Sequence, residues 1–174
     1  METLKAIEVR KSTRGFKPDP ISEESLDIIL KAANEAPVGM SAFDSIRLTV
    51  LRDAALIAKI SDAATTGSAR EGQDIYYGAS TVIIVSSKEQ PVPELTFANA
   101  GCIVTTCLLA ATDIGIDNVY IFGCVAGFRN DPSLLAEVGI PEGFTPISSV
   151  ALGYATEGAA VVPKAKRQIG INRR

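Results

Sequence analysis

The chain has 174 residues, 47% of them hydrophobic, and a formal net charge of −3, which predicts one globular domain over residues 1–174 with a sizeable core. It contains no histidine, which excludes a Ser-His-Asp or Cys-His nucleophile and every histidine-based metal site. Any catalysis would therefore depend on a bound cofactor that brings its own chemistry.

The pattern of apolar residues, prolines and helix caps predicts a mixture of helices and strands without a regular repeat. In chain order we expect a short amphipathic helix with Leu4 and Ile7 on its apolar side, then a helix over about 23–35, capped by Ser22, with its core face at Leu26, Ile29, Leu30 and Ala33. The later elements are a strand over 46–51, a helix from Asp53 to about Ala64, a strand over 81–86, a helix over 94–114, a strand over 119–123, a helix over 132–138 and a strand over 146–154.

A cluster of cations and hydroxyls, residues 10–16, follows the first helix as a predicted basic turn. Arg and Lys neutralise phosphate oxygens, and Ser and Thr donate hydrogen bonds to them, so this composition favours a phosphorylated small molecule as ligand. A solvated polar turn is the alternative.

The basic residues are concentrated near the two ends of the chain. Ten of the 17 lie there: Lys5, Arg10, Lys11, Arg14, Lys17, Lys164, Lys166, Arg167, Arg173 and Arg174. If the fold brings the ends together, they form one positive site on an acidic body that would hold an anion. Nucleic acid is the less suitable ligand, because the chain lacks an extended basic face and has few aromatic residues.

A loop over 37–44 contains Val38, Met40 and Phe43. Apolar side chains in a loop need a partner, so they pack into the core or cover a planar ligand or a second subunit.

The long apolar stretch over 94–114 has the length of a membrane span. Asn99, four threonines and Asp113 interrupt it, so we expect a buried central helix and no membrane contact.

The first nine residues do not resemble a secretory signal, which predicts a cytoplasmic protein. The cysteines, Cys102, Cys107 and Cys124, are expected to be reduced, mostly buried thiols, and no metal site is predicted. The basic tail from Val161 onward is too poor in apolar residues to fold alone and must dock on another surface.

Seven short motifs follow one another along the chain: 10–16, Ala36-Pro37, Tyr77-Gly78-Ala79, Asn99-Ala100-Gly101, Ile121-Phe122-Gly123, 140–144 and 150–154. Their order and spacing resemble the nitroreductase family of FMN-dependent oxidoreductases over nearly the whole chain. This resemblance implies an α+β fold with a central mixed, mostly antiparallel sheet flanked by helices. It also implies an intertwined homodimer in which the tail, residues 161–174, docks on the partner subunit and FMN binds at the interface.

The resemblance also implies roles for individual residues. The FMN phosphate and ribityl chain would be held by Arg10, Lys11, Ser12 and Arg14 together with Lys164 and Lys166, or with Arg167 if the register shifts. The other subunit would lay Pro37, Val38, Gly39, Met40 and Ser41 along the flavin ring. A backbone N–H near Phe122 or Gly123 would point at flavin N5. Phe43, Tyr76 and Tyr77 would shape the acceptor side, with packing in the core as the alternative for each.

The function implied is transfer of a hydride from NADH or NADPH to flavin N5, followed by reduction of a second small acceptor, such as a nitro compound or quinone, in a ping-pong mechanism. No acidic or basic side chain is required. The alternatives are a non-catalytic FMN-binding or redox-sensing dimer, a structural dimer with an empty cleft, and a dehalogenating or flavin-degrading enzyme on the same fold. The loop over 38–45 offers fewer side-chain donors than the family pattern, and the short chain lacks the insertions that build a substrate lid. The resemblance therefore does not identify the electron acceptor of this protein.

Overall fold

A computed structural model describes residues 2–161 and 169–173 of the chain. The five helices of this part are α1 (Thr3–Val9), α2 (Glu23–Asn34), α3 (Ala54–Thr65), α4 (Glu94–Asp113) and α5 (Pro132–Val138). Its six strands are β1 (Thr13–Phe16), β2 (Ile46–Leu51), β3 (Thr81–Ser87), β4 (Asp117–Ile121), β5 (Thr145–Gly153) and β6 (Ala155–Val161). Short 3₁₀ turns cover Gly39–Ser41, Phe43–Ser45 and Gly123–Gly127.

Three helices begin where the sequence predicts, because a side chain caps each of them. The Ser22 hydroxyl accepts a hydrogen bond from the Ser25 backbone N–H at the start of α2. Asp53 accepts from two backbone N–H groups at the start of α3, and Asp131 does the same at α5, where proline occupies the first turn. The predicted core face of α2 is confirmed: Leu26, Ile29 and Ala33 are buried, and Leu30 packs against them.

Four strands form the central sheet in the order β2-β3-β5-β4, and all of their pairings are antiparallel. Both faces of β3 and β5 are covered, because alternate residues enter two separate hydrophobic clusters. One cluster contains α3, α5 and the Phe128 side chain, and the other contains α2 and α4. The predicted combination of helices with a mostly antiparallel sheet is therefore confirmed.

A second sheet contradicts the prediction of a basic turn. Thr13–Phe16 is the strand β1, and it pairs antiparallel with β6, an element that the sequence analysis did not predict. The register changes between Arg14 and Phe16, where Gly15 is the irregular residue. Backbone hydrogen bonds also tie β1 to the rest of the fold, since the Phe16 N–H donates to the Tyr77 carbonyl at 2.9 Å. The second part of the cation-rich segment, Thr13–Phe16, is thus held in extended form by pairing.

Helix α4 lies centrally against α2 and the sheet, and its inward face is buried at Ile103, Val104, Cys107 and Ala111. The length and apolar composition of α4 would also allow it to cross a membrane. The core helix of a soluble protein can have the same length and composition. The outward face of α4 is apolar and partly exposed in the single chain. Phe97, Ala98 and Thr105 on that face are exposed, and Gly101, Cys102 and Leu109 are half-buried.

The short helix predicted at the start of the chain is present as α1, and its apolar side is largely exposed. Leu4 is 79% exposed and Ile7 is 47% exposed, whereas Ala6 is the buried residue of this helix. Seven residues present only one small side chain to the core of the same subunit.

Burial raises the pKa of the Cys107 thiol from 9.0 to about 12. A thiol that ionises at a higher pH in the folded state stabilises the fold below pH 9, and this contribution is lost as the pH rises from 9 toward 12. We expect the free energy of unfolding to fall by about 1.4 kcal/mol per pH unit more steeply in the parent than in Cys107→Val, which has no ionisable group. Urea unfolding curves at pH 8, 9, 10 and 11 measure this. Equal slopes for the two proteins above pH 9 would contradict it.

Candidate functional site

The cation-rich segment presents its side chains on two sides. Lys11 and Thr13 both face Asp117, with 3.7 Å between Lys11 Nζ and Asp117 Oδ1 and 3.2 Å between Thr13 Oγ1 and the same oxygen. Successive side chains of extended backbone point to opposite sides, which predicts that the side chains of residues 10, 12 and 14 project away from Asp117. Two guanidinium groups and one hydroxyl are then expected on one side of the segment, while Lys11 is paired with an acid.

Arg14 lies over an aromatic ring. Its guanidinium carbon is 5.9 Å from the centroid of the Tyr77 ring, within the range of a cation–π contact. An additional cation reaches the same side chain, because Arg70 Nη2 donates to the Tyr77 hydroxyl at 3.4 Å. The structure thus brings Arg14, Tyr77 and Arg70 together, although the resemblance assigned Arg14 to the FMN phosphate and Tyr77 to the acceptor side.

The segment Phe122–Gly123 lies at the far end of the edge strand β4. The predicted strand over 119–123 is displaced by two residues, since β4 is Asp117–Ile121 and a 3₁₀ turn follows at Gly123–Gly127. The cationic segment contacts the beginning of β4 through Asp117. Five residues at a rise of about 3.3 Å separate Asp117 from Phe122 by roughly 16 Å. The arrangement suits an elongated ligand that lies along the sheet edge with its anionic group at one end.

The loop over 37–45 is fixed by helix α4. Asn99, which is 2% exposed, accepts a hydrogen bond from the Gly39 backbone N–H at 2.8 Å through its side-chain oxygen. A Cβ at Gly39 would lie 2.7 Å from Leu95 Cδ2, so this position requires glycine or a shift of Leu95. Met40 and Ser41 both have left-handed backbone angles, with φ of 58° and 52°, which residues with a Cβ rarely adopt. The loop is therefore held in a strained conformation that leaves the Met40 side chain 69% exposed.

Three exposed aromatic rings connect this loop region with the end of β4. The Phe97 and Phe122 ring centroids are 6.1 Å apart in an edge-to-face arrangement, and those of Tyr120 and Phe122 are 6.2 Å apart. Burial raises the pKa of the Tyr120 phenol above its ordinary value. A flat apolar ligand could stack in this region.

Of the three residues predicted to shape the acceptor side, two are accessible to a ligand and one is buried in the core. Phe43 is 49% exposed and Tyr77 is half-buried, so both rings can contact a ligand. Tyr76 is fully buried in the core cluster that contains Phe128, which corrects its assignment to a substrate pocket. The core-packing alternative therefore holds for Tyr76.

The tail residues proposed to contact phosphate, Lys164, Lys166 and Arg167, lie outside the described residues, and so does the side chain of Cys124. Of the tail, residues 169–173 are described, and Ile169 and Ile171 are 90% and 75% exposed.

Sequence reasoning missed several residues that the structure places in this region, namely Arg70, Asn99, Asp117, Phe97 and Tyr120. For Asn99 a signal was present, because a polar residue within a continuous apolar helix requires a partner. Nothing local marked Asp117 as the partner of Lys11, since 106 positions separate them and they meet where β1 lies beside β4.

Comparisons with known proteins agree with this architecture. The model of the Nitroreductase family matches residues 7–154. A protein of Archaeoglobus fulgidus, named as a candidate NADH dehydrogenase/NAD(P)H nitroreductase, is 30% identical over 154 residues, which are 88% of this chain and 85% of that protein.

Two solved structures are also similar. A nitroreductase with bound FMN from Bacteroides fragilis has a TM-score of 0.85 and 27% identity, and the match covers 99% of this chain and 100% of that one. A nitroreductase with bound FMN from Desulfitobacterium hafniense has a TM-score of 0.81 and 28% identity, with the same coverage. The sequence match and the shared fold show that this chain belongs to the nitroreductase family.

Proposed function

We propose that the protein is an FMN-dependent NAD(P)H oxidoreductase that works as a cytoplasmic homodimer and reduces a small acceptor such as a nitro compound or quinone. The observation that carries this proposal is the spacing of two features along one sheet edge. The cation-rich segment reaches the beginning of β4 through Lys11 and Thr13, and the Phe122–Gly123 backbone lies about 16 Å away at its end.

The chemistry of these groups fits FMN. Arginine guanidiniums and the Ser12 hydroxyl are donors suited to a phosphate monoester, and a guanidinium makes paired hydrogen bonds to such an anion. The exposed rings of Phe97 and Phe122 offer apolar faces at the other end, where the isoalloxazine would lie. Lys164 or Lys166, or Arg167 in a shifted register, would add a further cation from the tail.

FMN, when bound, would supply the redox chemistry: it accepts a hydride from NAD(P)H at N5 and passes electrons to a second acceptor, in ping-pong order. The chain's own part is to bind and orient. A backbone N–H at Phe122 or Gly123 would donate toward N5, and the guanidinium of Arg14 would hold the phosphate end of the cofactor. No side-chain acid or base is needed, in agreement with the absence of histidine.

The uncovered apolar surfaces support the homodimer. The outward face of α4 carries no charged side chain between Leu95 and Thr112, and α1 exposes Leu4 and Ile7. Apolar faces of this extent on one subunit are typical of surfaces that a second subunit covers. In this arrangement the strained loop over 37–41 would cover the flavin of the partner, and the tail with its exposed Ile169 and Ile171 would dock on the partner.

Half-reactions separated in time test the proposed function. We expect the FMN-loaded protein, reduced with one equivalent of NADPH or NADH and freed of nucleotide on a desalting column under anaerobic conditions, to reduce one equivalent of added quinone. A flavin that binds but is not reduced by either nucleotide would favour a redox-sensing or flavin-binding protein. A protein that takes up no FMN would exclude both the oxidoreductase and the flavin-binding or redox-sensing protein, and would leave a structural dimer.

A further inference from the structure

Tyr77 lies in a turn whose backbone is fixed before any ligand arrives. Its φ of 58° is left-handed, a conformation that residues with a Cβ rarely adopt. The carboxylate of Asp74 holds the turn, since it accepts hydrogen bonds from the backbone N–H groups of Tyr76 at 2.8 Å and Gly78 at 2.6 Å. The Tyr77 carbonyl accepts from Phe16 N–H at 2.9 Å, which joins the turn to β1. The direction of the Tyr77 ring is therefore determined by its surroundings.

The ring and its hydroxyl each contact a different cation. The Arg14 guanidinium carbon lies 5.9 Å from the ring centroid, and Arg70 Nη2 lies 3.4 Å from the hydroxyl oxygen. Arg70 also donates to the Gln73 side chain at 3.3 Å, which orients its guanidinium from the other side. Two positive groups from separate parts of the chain thus meet on one side chain.

No carboxylate is an ion-pair partner of Arg14 among the salt bridges of the described residues. Lys11, on the same segment, has its acid in Asp117. An anion near Arg14 would neutralise its positive charge. This is an argument for a ligand with negative charge at this position.

We infer that Tyr77 is a positioning residue of the anion site, which fixes Arg14 with its ring and brings Arg70 to the same site through its hydroxyl. Arg70 is then an additional cation for the bound cofactor. The inference rests on the proposed function, because FMN is the anion that it assigns to this site.

A double-mutant cycle tests whether Tyr77 acts through Arg14. Tyr77→Asn removes the ring and keeps a residue that tolerates the left-handed turn, and Tyr77→Phe keeps the ring and removes only the hydroxyl. FMN dissociation constants are measured by quenching of flavin fluorescence for the parent, the two variants, Arg14→Gln and the double variant Arg14→Gln with Tyr77→Asn. Thermal melting of each FMN-free protein reports on folding.

We expect Tyr77→Asn to weaken FMN binding about tenfold in the parent and less than twofold in the Arg14→Gln background, with Tyr77→Phe within about threefold of the parent. A tenfold effect of Tyr77→Asn in both backgrounds would overturn the inference, since the ring would then act independently of Arg14. Parent-like binding by Tyr77→Asn would also overturn it. If Tyr77→Asn melts early, the Tyr77→Phe result decides: an affinity loss greater than tenfold would overturn the role assigned to the ring. A parent that takes up no FMN would overturn the proposed function and this inference together.

Discussion

Replacing Arg10 with alanine is expected to weaken FMN binding about 10- to 150-fold, or roughly 1.5 to 3 kcal/mol, the scale of a charge-assisted hydrogen bond. Arg10 is half-buried at the C-terminal cap of α1, where its backbone N–H donates to the Ala6 carbonyl. Its backbone is therefore fixed, and the alternation of extended backbone predicts that its side chain lies on the same side as those of Ser12 and Arg14. Loss of the guanidinium would leave phosphate oxygens without a donor.

Lys11→Ala is the matched control for Arg10→Ala. The two residues are adjacent and both cationic, but the Lys11 side chain faces Asp117. We expect Lys11→Ala to bind FMN within about threefold of the parent. Isothermal titration at 20 and 200 mM salt compares the proteins, and the loss caused by Arg10→Ala should be larger at low salt because exposed charges are then less screened. An unchanged FMN affinity for Arg10→Ala at low salt, with a large loss for Lys11→Ala, would refute the assignment of Arg10 to the phosphate and of Lys11 to Asp117.

Gly127→Ala is expected to destabilise the protein by about 3 kcal/mol and to lower its melting temperature by about 6–12 °C. A Cβ at Gly127 would lie 2.3 Å from Ala64 Cα and 2.9 Å from the Ala63 carbonyl oxygen, both of them backbone atoms of α3. These atoms cannot move aside by rotation about a side-chain bond, so the turn over Gly123–Gly127 and α3 must separate. Since this turn follows Phe122, FMN binding should weaken as well.

Gly123→Ala is the control for this steric argument. A Cβ at Gly123 would meet no heavy atom within 4 Å, although the residue belongs to the same turn. Its melting temperature should remain within about 2 °C of the parent, consistent with a surface change of about 0.5 kcal/mol or less. Equal melting temperatures for Gly127→Ala and the parent, measured by circular dichroism without FMN, would show that the close approach to α3 does not exist.

The sequence predicted the helices and strands that are specified by residues within them or next to them. The helices α2, α3 and α5 have capping side chains at Ser22, Asp53 and Asp131, and β3 is a continuous apolar run. The strands β1 and β6 were missed because neither has an alternating apolar pattern and each depends on the other, about 140 positions away. A strand that is stabilised only by such a partner leaves no local signal.

The candidate site was predicted in composition but not in orientation. The motif at residues 10–16 identified the cations, whereas only the β1 geometry separates Lys11 from Arg10 and Arg14. Tyr76 and Tyr77 are adjacent and identical in chemistry, yet one is fully buried and the other faces two arginines. The left-handed backbone at Tyr77, held by Asp74, causes this difference in burial between Tyr76 and Tyr77. The periodicity of the sequence does not predict such a backbone conformation.

Anaerobic spectroscopy of the protein with FMN tests the central claim most directly. The purified protein, mixed with a slight deficit of FMN, should retain the flavin through gel filtration and show its visible absorbance. Addition of NADPH or NADH without oxygen should then bleach that absorbance, and a quinone should restore it. Retained flavin that neither nucleotide bleaches would contradict the proposed oxidoreductase, and a colourless protein fraction would contradict the FMN site itself.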